Sequence, residues 1–234
     1  MNYKTFFRKT KLDEKAFEEI KASVKEAESK TTGEIALAIT AESSSYAFWE
    51  LLSSVVLAFI FVMGLFPLSN QIYRCLDNFF WSVKPWYLAA FYLVLTVVLV
   101  GILYALFNIP AIDYLIIPSG AKNECVSNRA MRYFAESGVY RTKEHSGILI
   151  FVSYFERQVR IIADEGISSK ISQDLWNLIA DEMVESLSHG DVKTAYINAV
   201  KKCGDLLAEN FPPHEDNPDE LTDGLIVLEA DRWV

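Results

Sequence analysis

The stretch Gly147-Ile-Leu-Ile-Phe-Val-Ser-Tyr-Phe-Glu-Arg-Gln-Val-Arg-Ile-Ile-Ala-Asp164 carries two strand signals in close succession. Residues 147–154 and residues 158–164 are both rich in β-branched and aromatic side chains, which is typical of β-strands. Only residues 155–157 separate the two segments, so we predict that they form an antiparallel hairpin. Two strands alone are not stable in water, and further elements must therefore cover this hairpin.

The other elements of the domain lie on both sides of a long apolar region. Gly33-Glu-Ile-Ala-Leu-Ala-Ile-Thr40 is a nearly continuous apolar run, which is typical of a strand covered on both faces. The segment 225–228 predicts a short edge strand. Apolar residues recur at helical spacing in further segments, namely residues 12–29, 121–137, 171–187 and 191–209. This order of elements predicts an α/β domain in which helices pack on a small sheet.

Two long apolar segments interrupt this domain. Residues 47–66 contain Glu50 as their only charge, and residues 86–109 contain no charged residue. As helices they would be roughly 30 Å and 36 Å long, which matches the hydrocarbon core of a bilayer. Aromatic residues near the ends of both segments suit the membrane interface, namely Trp49, Trp81, Trp86 and Tyr87. The pattern predicts a two-helix transmembrane hairpin.

The alternative is a pair of buried helices in a soluble core. It is disfavoured because the rest of the chain is too short to cover both helices on every side. The orientation follows from the basic residues, since eight Lys or Arg precede the first span within residues 1–46. Positive residues favour the cytoplasmic side, and no signal peptide is recognisable at the start. We therefore expect both termini in the cytoplasm and the short loop outside.

Two spans return the chain to the side that it left. Residues 1–46 and residues 118–212 are therefore predicted to form the two parts of one α/β domain. Residues 47–110 form the inserted hairpin in this scheme, and residues 213–234 form an acidic C-terminal tail.

The charge distribution is uneven. The formal net charge is -9, yet the first eleven residues contain Lys4, Arg8, Lys9 and Lys11 and no acid. Two interpretations of this basic start remain open, contact with anionic headgroups or a solvated lead-in to a helix. The acidic balance argues against nucleic acid as a partner. The cysteines, Cys75, Cys125 and Cys203, are too few and too far apart for a disulfide framework.

Several short segments together resemble the TPM domain family. The resemblance covers nearly all of residues 12–221 outside the apolar region, and it is carried by the segments taken as a set rather than by any one of them. These segments are Thr32-Gly33-Glu34-Ile35, Arg129-Ala130 with Phe134, residues 147–152, Glu156-Arg157 through Asp164 to Gly166-Ile167, Phe211-Pro212-Pro213, and Asn217-Pro218-Asp219-Glu220-Leu221.

The resemblance implies a fold and a range of functions. It implies a small mixed sheet of about four strands packed by helices, here interrupted by the two-helix transmembrane hairpin. The chain is similar to the bacterial membrane-protein branch of the family, in which a hydrophobic pair interrupts the domain, and this implies an inner-membrane location. Other members include thylakoid-lumen proteins linked to photosystem repair. Acid phosphatase activity, assembly roles and calcium binding are each known in parts of the family.

The search for chemistry from the residues themselves yields one weak metal candidate. Asp164 and Glu165 end a predicted strand and face the next helix, where their oxygens would hold Ca²⁺ or Mg²⁺. The alternative is that Asp164 caps a local turn. Glu156 and Arg157 are interpreted as hairpin-turn residues. Glu34 and Arg129 are expected to form an ion pair near one edge of the sheet.

No catalytic set is recognisable by motif. A nucleophile elbow and a phosphate-binding loop are both absent from the sequence. We therefore expect a non-enzymatic interaction or assembly factor, whose partners are the lipid bilayer and a membrane protein complex. The alternative is a divalent-metal-assisted acid phosphatase at the membrane surface.

Overall fold

A computed structural model describes residues 3–79, 84–214 and 220–229 of the chain. The chain divides into two compact units, Met1–Ser45 with Gly120–Val234, and Tyr46–Ser119. The elements of the first unit are α1 (Tyr3–Thr10), α2 (Glu14–Glu28), β1 (Glu34–Thr40), α7 (Ser119–Glu136), β2 (Gly147–Ser153), β3 (Gln158–Ala163), α8 (Glu165–Ser168), α9 (Gln173–Ser188), α10 (Val192–Asn210) and β4 (Leu225–Leu228). Those of the second unit are α3 (Ala47–Leu65), α4 (Ser69–Phe79), α5 (Trp86–Phe107) and α6 (Pro110–Ile116).

The strands form one mixed sheet in the order β3-β2-β1-β4. β1 pairs in parallel with β2, from Glu34 opposite Gly147 to Thr40 opposite Ser153. β4 pairs in parallel with β1, and β3 pairs antiparallel with β2. The predicted α/β fold, the β2–β3 hairpin and the short edge strand at 225–228 are thereby confirmed.

Both faces of the sheet are covered by helices, as the apolar runs of β1 and β2 predict. Every residue of these two strands is buried. One face packs against α1, α2, α9 and α10 in the larger core cluster. The other face packs against α7, where Val126 and Ala130 contact a smaller cluster that includes Ala36 and Leu149.

The second unit is inserted into the connection between β1 and α7. We call the end of the sheet where β1 and β2 finish the carboxyl edge, and the end where they begin the amino edge. Gln158 lies opposite Ser153, at the end of β2, and donates from Nε2 to Asn123 Oδ1 over 2.6 Å. Since Asn123 is in the first turns of α7, this contact shows that α7 starts near the carboxyl edge. Both chain connections to the second unit therefore leave the first unit at its carboxyl edge.

Two segments of the second unit are long and apolar enough to cross a membrane. They are Ala47–Phe79 and Trp86–Phe107, each with a mean hydropathy of 2.5. Within this unit α3 packs against α5, and the Phe66 ring stacks on Tyr92 with centroids 5.1 Å apart. Trp81, one of the expected interface aromatics, lies outside the described residues.

Among the described residues, four helices lie outside the sequence prediction, namely α1, α4, α6 and α8. α4 lies between the predicted spans 47–66 and 86–109, where the sequence predicted only a short loop, and it falls within the longer apolar segment Ala47–Phe79. α1 precedes the helix predicted at 12–29, and Asp13 separates it from α2 by capping α2 through the Ala16 N–H at 2.8 Å. The aliphatic face of α2 was sufficient to predict that helix, whereas α1 is only eight residues long and too short to show a clear period.

The contact between α2 and α10 yields a test of the packing. A Cβ atom on Gly204 would lie 2.7 Å from Ala27 Cβ, so the helices would have to separate. We expect Gly204→Ala to lower the free energy of unfolding by about 1–3 kcal/mol, measured by thermal unfolding of detergent-solubilised protein. Gly120→Ala is the control, because nothing lies within 4 Å of its Cβ position. Equal stability of the two variants would contradict the packing described.

Candidate functional site

A buried polar cluster lies at the carboxyl edge around Glu156. The side chain belongs to the β2–β3 turn, as expected, but the residue is only 2% exposed. Its Oε1 accepts the Ser43 N–H at 2.9 Å, and its Oε2 accepts the Ser153 hydroxyl at 2.5 Å. The Ser43 and Ser153 hydroxyl oxygens lie 2.7 Å apart. Glu156 is thus more than a solvated turn residue.

This cluster holds the first residues after β1. The Tyr154 N–H donates to the Thr40 carbonyl at 3.1 Å, and the Phe155 N–H donates to the Ala41 carbonyl at 3.0 Å. Together with the Ser43 contact, these bonds tie residues 40–43 to the β2–β3 turn. The segment that leads into the second unit is therefore fixed to the first unit at its start.

Asp164 and Glu165, the predicted metal residues, lie at the amino edge. The Asp164 N–H donates to the Gly147 carbonyl at 2.9 Å. Because β3 runs opposite to β1 and β2, its end lies where the parallel strands begin. The rule that ligands bind at strand carboxyl ends applies to the parallel strands, so it does not extend to the end of β3.

Asp164 caps the short helix α8. Its Oδ1 accepts the Glu165 N–H at 2.8 Å, and its Oδ2 lies 3.2 Å from His145 Nδ1. Glu165 is exposed in the first turn of α8. The capping role that sequence analysis kept as an alternative is therefore present.

The donor set around Asp164 fits a metal ion poorly. Ca²⁺ takes about six to eight oxygen ligands, whereas both Asp164 oxygens here face nitrogen donors. Within the part of the chain that the structure describes, no three His, Cys, Asp or Glu side chains gather as metal ligands. The site at Asp164 and Glu165 stays a prediction, and no chemical step is derived through a metal.

Glu34 and Arg129 both lie buried in the first unit. Glu34 Oε2 accepts the Leu221 N–H at 3.2 Å, so this acid holds the segment before β4. Arg129 Nη1 lies 3.5 Å from Glu136 Oε2 on the same helix. The predicted pair between Glu34 and Arg129 stays a prediction.

Glu28 is a titratable residue that sequence analysis missed. Burial is the largest of the causes that raise the pKa of the Glu28 carboxyl to about 9. The Ile35 N–H bond acts against this rise, and the Glu34 and Asp223 carboxyls add to it. That N–H donates to Glu28 Oε1 at 2.8 Å. Asp223 precedes β4 and pairs with Lys25 at 3.3 Å. Glu28 is the last residue of the amphipathic helix α2, and this position gave no signal in the sequence that its carboxyl is buried.

The amino edge and the carboxyl edge therefore hold different parts of the chain. At the carboxyl edge, Glu156 holds the segment after β1. At the amino edge, Glu34 and Glu28 meet the segment that leads into β4. Acidic side chains at both edges accept hydrogen bonds from backbone N–H groups.

Part of the chain matches the profile of a known family. Residues 112–206 match the profile of the family described as TPM_phosphatase: TPM domain. The chain carries a TPM domain. The resemblance predicted from the sequence is thereby confirmed. The matched range contains α7, the β2–β3 hairpin and most of α10, and β1 lies before it on the other side of the inserted unit.

A solved structure has a similar fold. It is the NMR structure of BA42 protein from the psychrophilic bacterium Bizionia argentinensis, with a TM-score of 0.53 and 18% sequence identity. The similarity covers 92% of this chain and 94% of that chain, and it concerns the fold alone. No curated protein matches the chain.

The Glu156 cluster yields a stability prediction. Glu156→Ala would leave the Ser43 N–H and the Ser153 hydroxyl without this buried acceptor, so we expect a loss of roughly 1–3 kcal/mol in the free energy of unfolding. Exchange of the amides of residues 41–44 should also become faster, measured by hydrogen exchange. Glu165→Ala is the control, because its carboxyl is exposed. Unchanged exchange at 41–44 would show that Glu156 does not hold this segment.

The raised pKa of Glu28 yields a prediction about pH. Its ordinary value is 4.5 and its folded value about 9, so its contribution to stability is full below 4.5 and is lost as the pH rises through about 9. Glu28→Gln replaces the titrating carboxyl with a neutral amide. Between about pH 5 and pH 9.5, we therefore expect the free energy of unfolding to fall less in the variant than in the wild type, by an amount on the order of a few kcal/mol.

Urea unfolding at several pH values measures this difference. Glu26→Gln is the matched control on the same helix, because Lys30 lowers the pKa of the Glu26 carboxyl and its effect is confined to acid pH. Parallel stability curves for the wild type and Glu28→Gln would contradict the assignment.

Proposed function

We propose that this protein is a two-span protein of a bacterial inner membrane. In this proposal, its TPM domain is a non-enzymatic interaction or assembly factor for a membrane protein complex. Both termini and the TPM domain lie in the cytoplasm. The observation that carries the proposal is the apolar surface of the second unit.

The helices of the second unit present apolar side chains on their outer surfaces. The most apolar window of Ala47–Phe79 is 17% buried, and that of Trp86–Phe107 is 6% buried. The exposed side chains include Phe59, Ile60, Leu93 and Val97. A core helix of a soluble protein is mostly buried, and a surface this apolar is unfavourable in water. Lipid is the environment that suits both the length and the surface of these helices.

The insertion point supports a tethered domain. Both connections leave the TPM domain at one edge, and the Glu156 cluster fixes the start of the first connection. The domain is then joined to the membrane-spanning hairpin by two chain connections, which suits a protein that acts on a neighbour in the same membrane. The acids described at the two edges bind backbone groups, which suits structural roles.

The second candidate function is a divalent-metal-assisted acid phosphatase. The observation that favours it is the contact between His145 Nδ1 and Asp164 Oδ2 at 3.2 Å, together with the name of the matching family. In this candidate, Asp164 and Glu165 would bind Ca²⁺ or Mg²⁺ at the domain surface. The poor donor set places it behind the first proposal.

Membrane extraction tests the placement. We expect the full chain to stay with membranes in alkaline carbonate and to need detergent for release. Val97→Arg places a charge in the middle of α5, where it costs roughly 2.5–3.5 kcal/mol on insertion, and should reduce the membrane fraction. Lys201→Arg, in the TPM domain, is the control and should leave the fraction unchanged. A chain that is released by carbonate and monodisperse in buffer would refute the membrane proposal.

Affinity purification tests the role. In mild detergent, we expect the chain to co-purify with a membrane protein complex, identified by mass spectrometry. Asp164→Asn should retain this partner, because the proposal gives Asp164 only a capping role. Mg²⁺- or Ca²⁺-dependent hydrolysis of a phosphoester by the wild type, lost in Asp164→Asn, would instead favour the phosphatase.

A further inference from the structure

The position of α1 is fixed by aromatic packing at the carboxyl edge. Phe6 is completely buried, and its ring meets Tyr154 edge-on at a centroid distance of 5.7 Å. Tyr154 directly follows Ser153, the last residue of β2. Thr10 is also buried and donates from Oγ1 to the Phe6 carbonyl at 2.9 Å. α1 therefore lies at the edge from which both connections to the second unit leave.

The outer side of this region is cationic. Arg8, Lys9 and Lys11 are exposed, and Arg8 and Lys9 make no ion pair with any residue that the structure describes. The first twelve residues contain no acid, although the net charge of the chain is -9. Arg157, in the β2–β3 turn at the same edge, is a further exposed cation. The exposed cations Arg8, Lys9, Lys11 and Arg157 thus lie at the edge where the chain leaves the first unit for its apolar insertion.

Two of the nearby acids are engaged with helix ends. Asp13 caps α2 through the Ala16 N–H at 2.8 Å. Asp191 caps α10 through the Thr194 N–H at 3.0 Å, and these hydrogen bonds to Thr194, with smaller effects of Lys193 and Lys11, lower the pKa of the Asp191 carboxyl. Both acids therefore have local partners in the backbone, and Arg8 and Lys9 remain available to an external anion.

We infer that Arg8, Lys9 and Lys11 dock the carboxyl edge of the TPM domain on the anionic lipid headgroups of the membrane. This inference rests on the proposed membrane placement, since insertion of the hairpin brings the domain to the bilayer. Cations near an anionic leaflet are attracted to it within about one Debye length, roughly 8–10 Å at physiological salt. The few residues between Thr40 and α3 keep this edge close to where the chain enters the lipid.

Hydrogen exchange in nanodiscs tests the docking. The full chain is reconstituted in phosphatidylcholine alone and in phosphatidylcholine with about one-third phosphatidylglycerol. At low salt we expect the amides of α1 to exchange more slowly in the anionic discs, on the order of tenfold, because three cations each gain from the surface potential. High salt should remove the difference.

Matched variants separate docking from a general charge effect. The triple variant Arg8→Gln, Lys9→Gln, Lys11→Gln should lose the lipid-dependent slowing. The triple variant Lys21→Gln, Lys30→Gln, Lys201→Gln changes the net charge equally on exposed sites of the same domain and should keep it. Slowing that persists in the first variant, or that is absent from the wild type, would overturn the docking.

Failure of the docking inference can be told apart from failure of the proposed membrane placement. Carbonate extraction of the same preparation reports insertion independently of lipid charge. If the chain is released by carbonate, the membrane placement itself is wrong. If the chain is inserted and α1 exchanges at the same rate in both kinds of disc, only the docking is wrong.

Discussion

The parallel pairing of β1 with β2 is the constraint on which the rest of this structure depends. β1 ends at Thr40 and β2 begins at Gly147, yet the two strands pair along their full length. A parallel pair needs a crossover, because the chain must return to the starting edge before the second strand begins. Here α7 is the returning helix, and the second unit occupies the connection before it. The cost of closing a loop grows only slowly with its length, so a folded insertion is tolerated at this point.

The division of polar residues between the two edges follows from the same topology. At the carboxyl edge, the Glu156 cluster holds the segment that follows β1. At the amino edge, Glu28, Glu34 and Asp223 lie near the segment that precedes β4. Backbone groups that leave a sheet edge inside a domain need partners, and carboxyl oxygens provide acceptors whether or not the group is ionised. The same residue type therefore serves opposite ends of the sheet.

The sequence predicted what depends on apolar periodicity. The β2–β3 hairpin, the strand at 34–40 and the apolar stripe of α10 follow from residue type and spacing alone. The surroundings of the buried acids did not follow from the sequence. Glu156 and Glu28 meet residues that are far away in the chain, Ser43 in the first case and Asp223 in the second. Asp164 was assigned a ligand role from its place at a strand end. The direction of β3 decides which edge that end occupies, and the antiparallel hairpin places it with the starts of the parallel strands.

The split sheet has a consequence for biosynthesis. The ribosome completes α2 and β1 early, but β2 emerges only after both apolar helices and α7 have been made. At typical elongation rates this delay is roughly 5–20 s, and throughout it β1 exposes strand edges that attract other chains. The sheet therefore cannot be completed until the second unit and α7 have been made, and the nascent segment ending at Thr40 is a natural client for a chaperone.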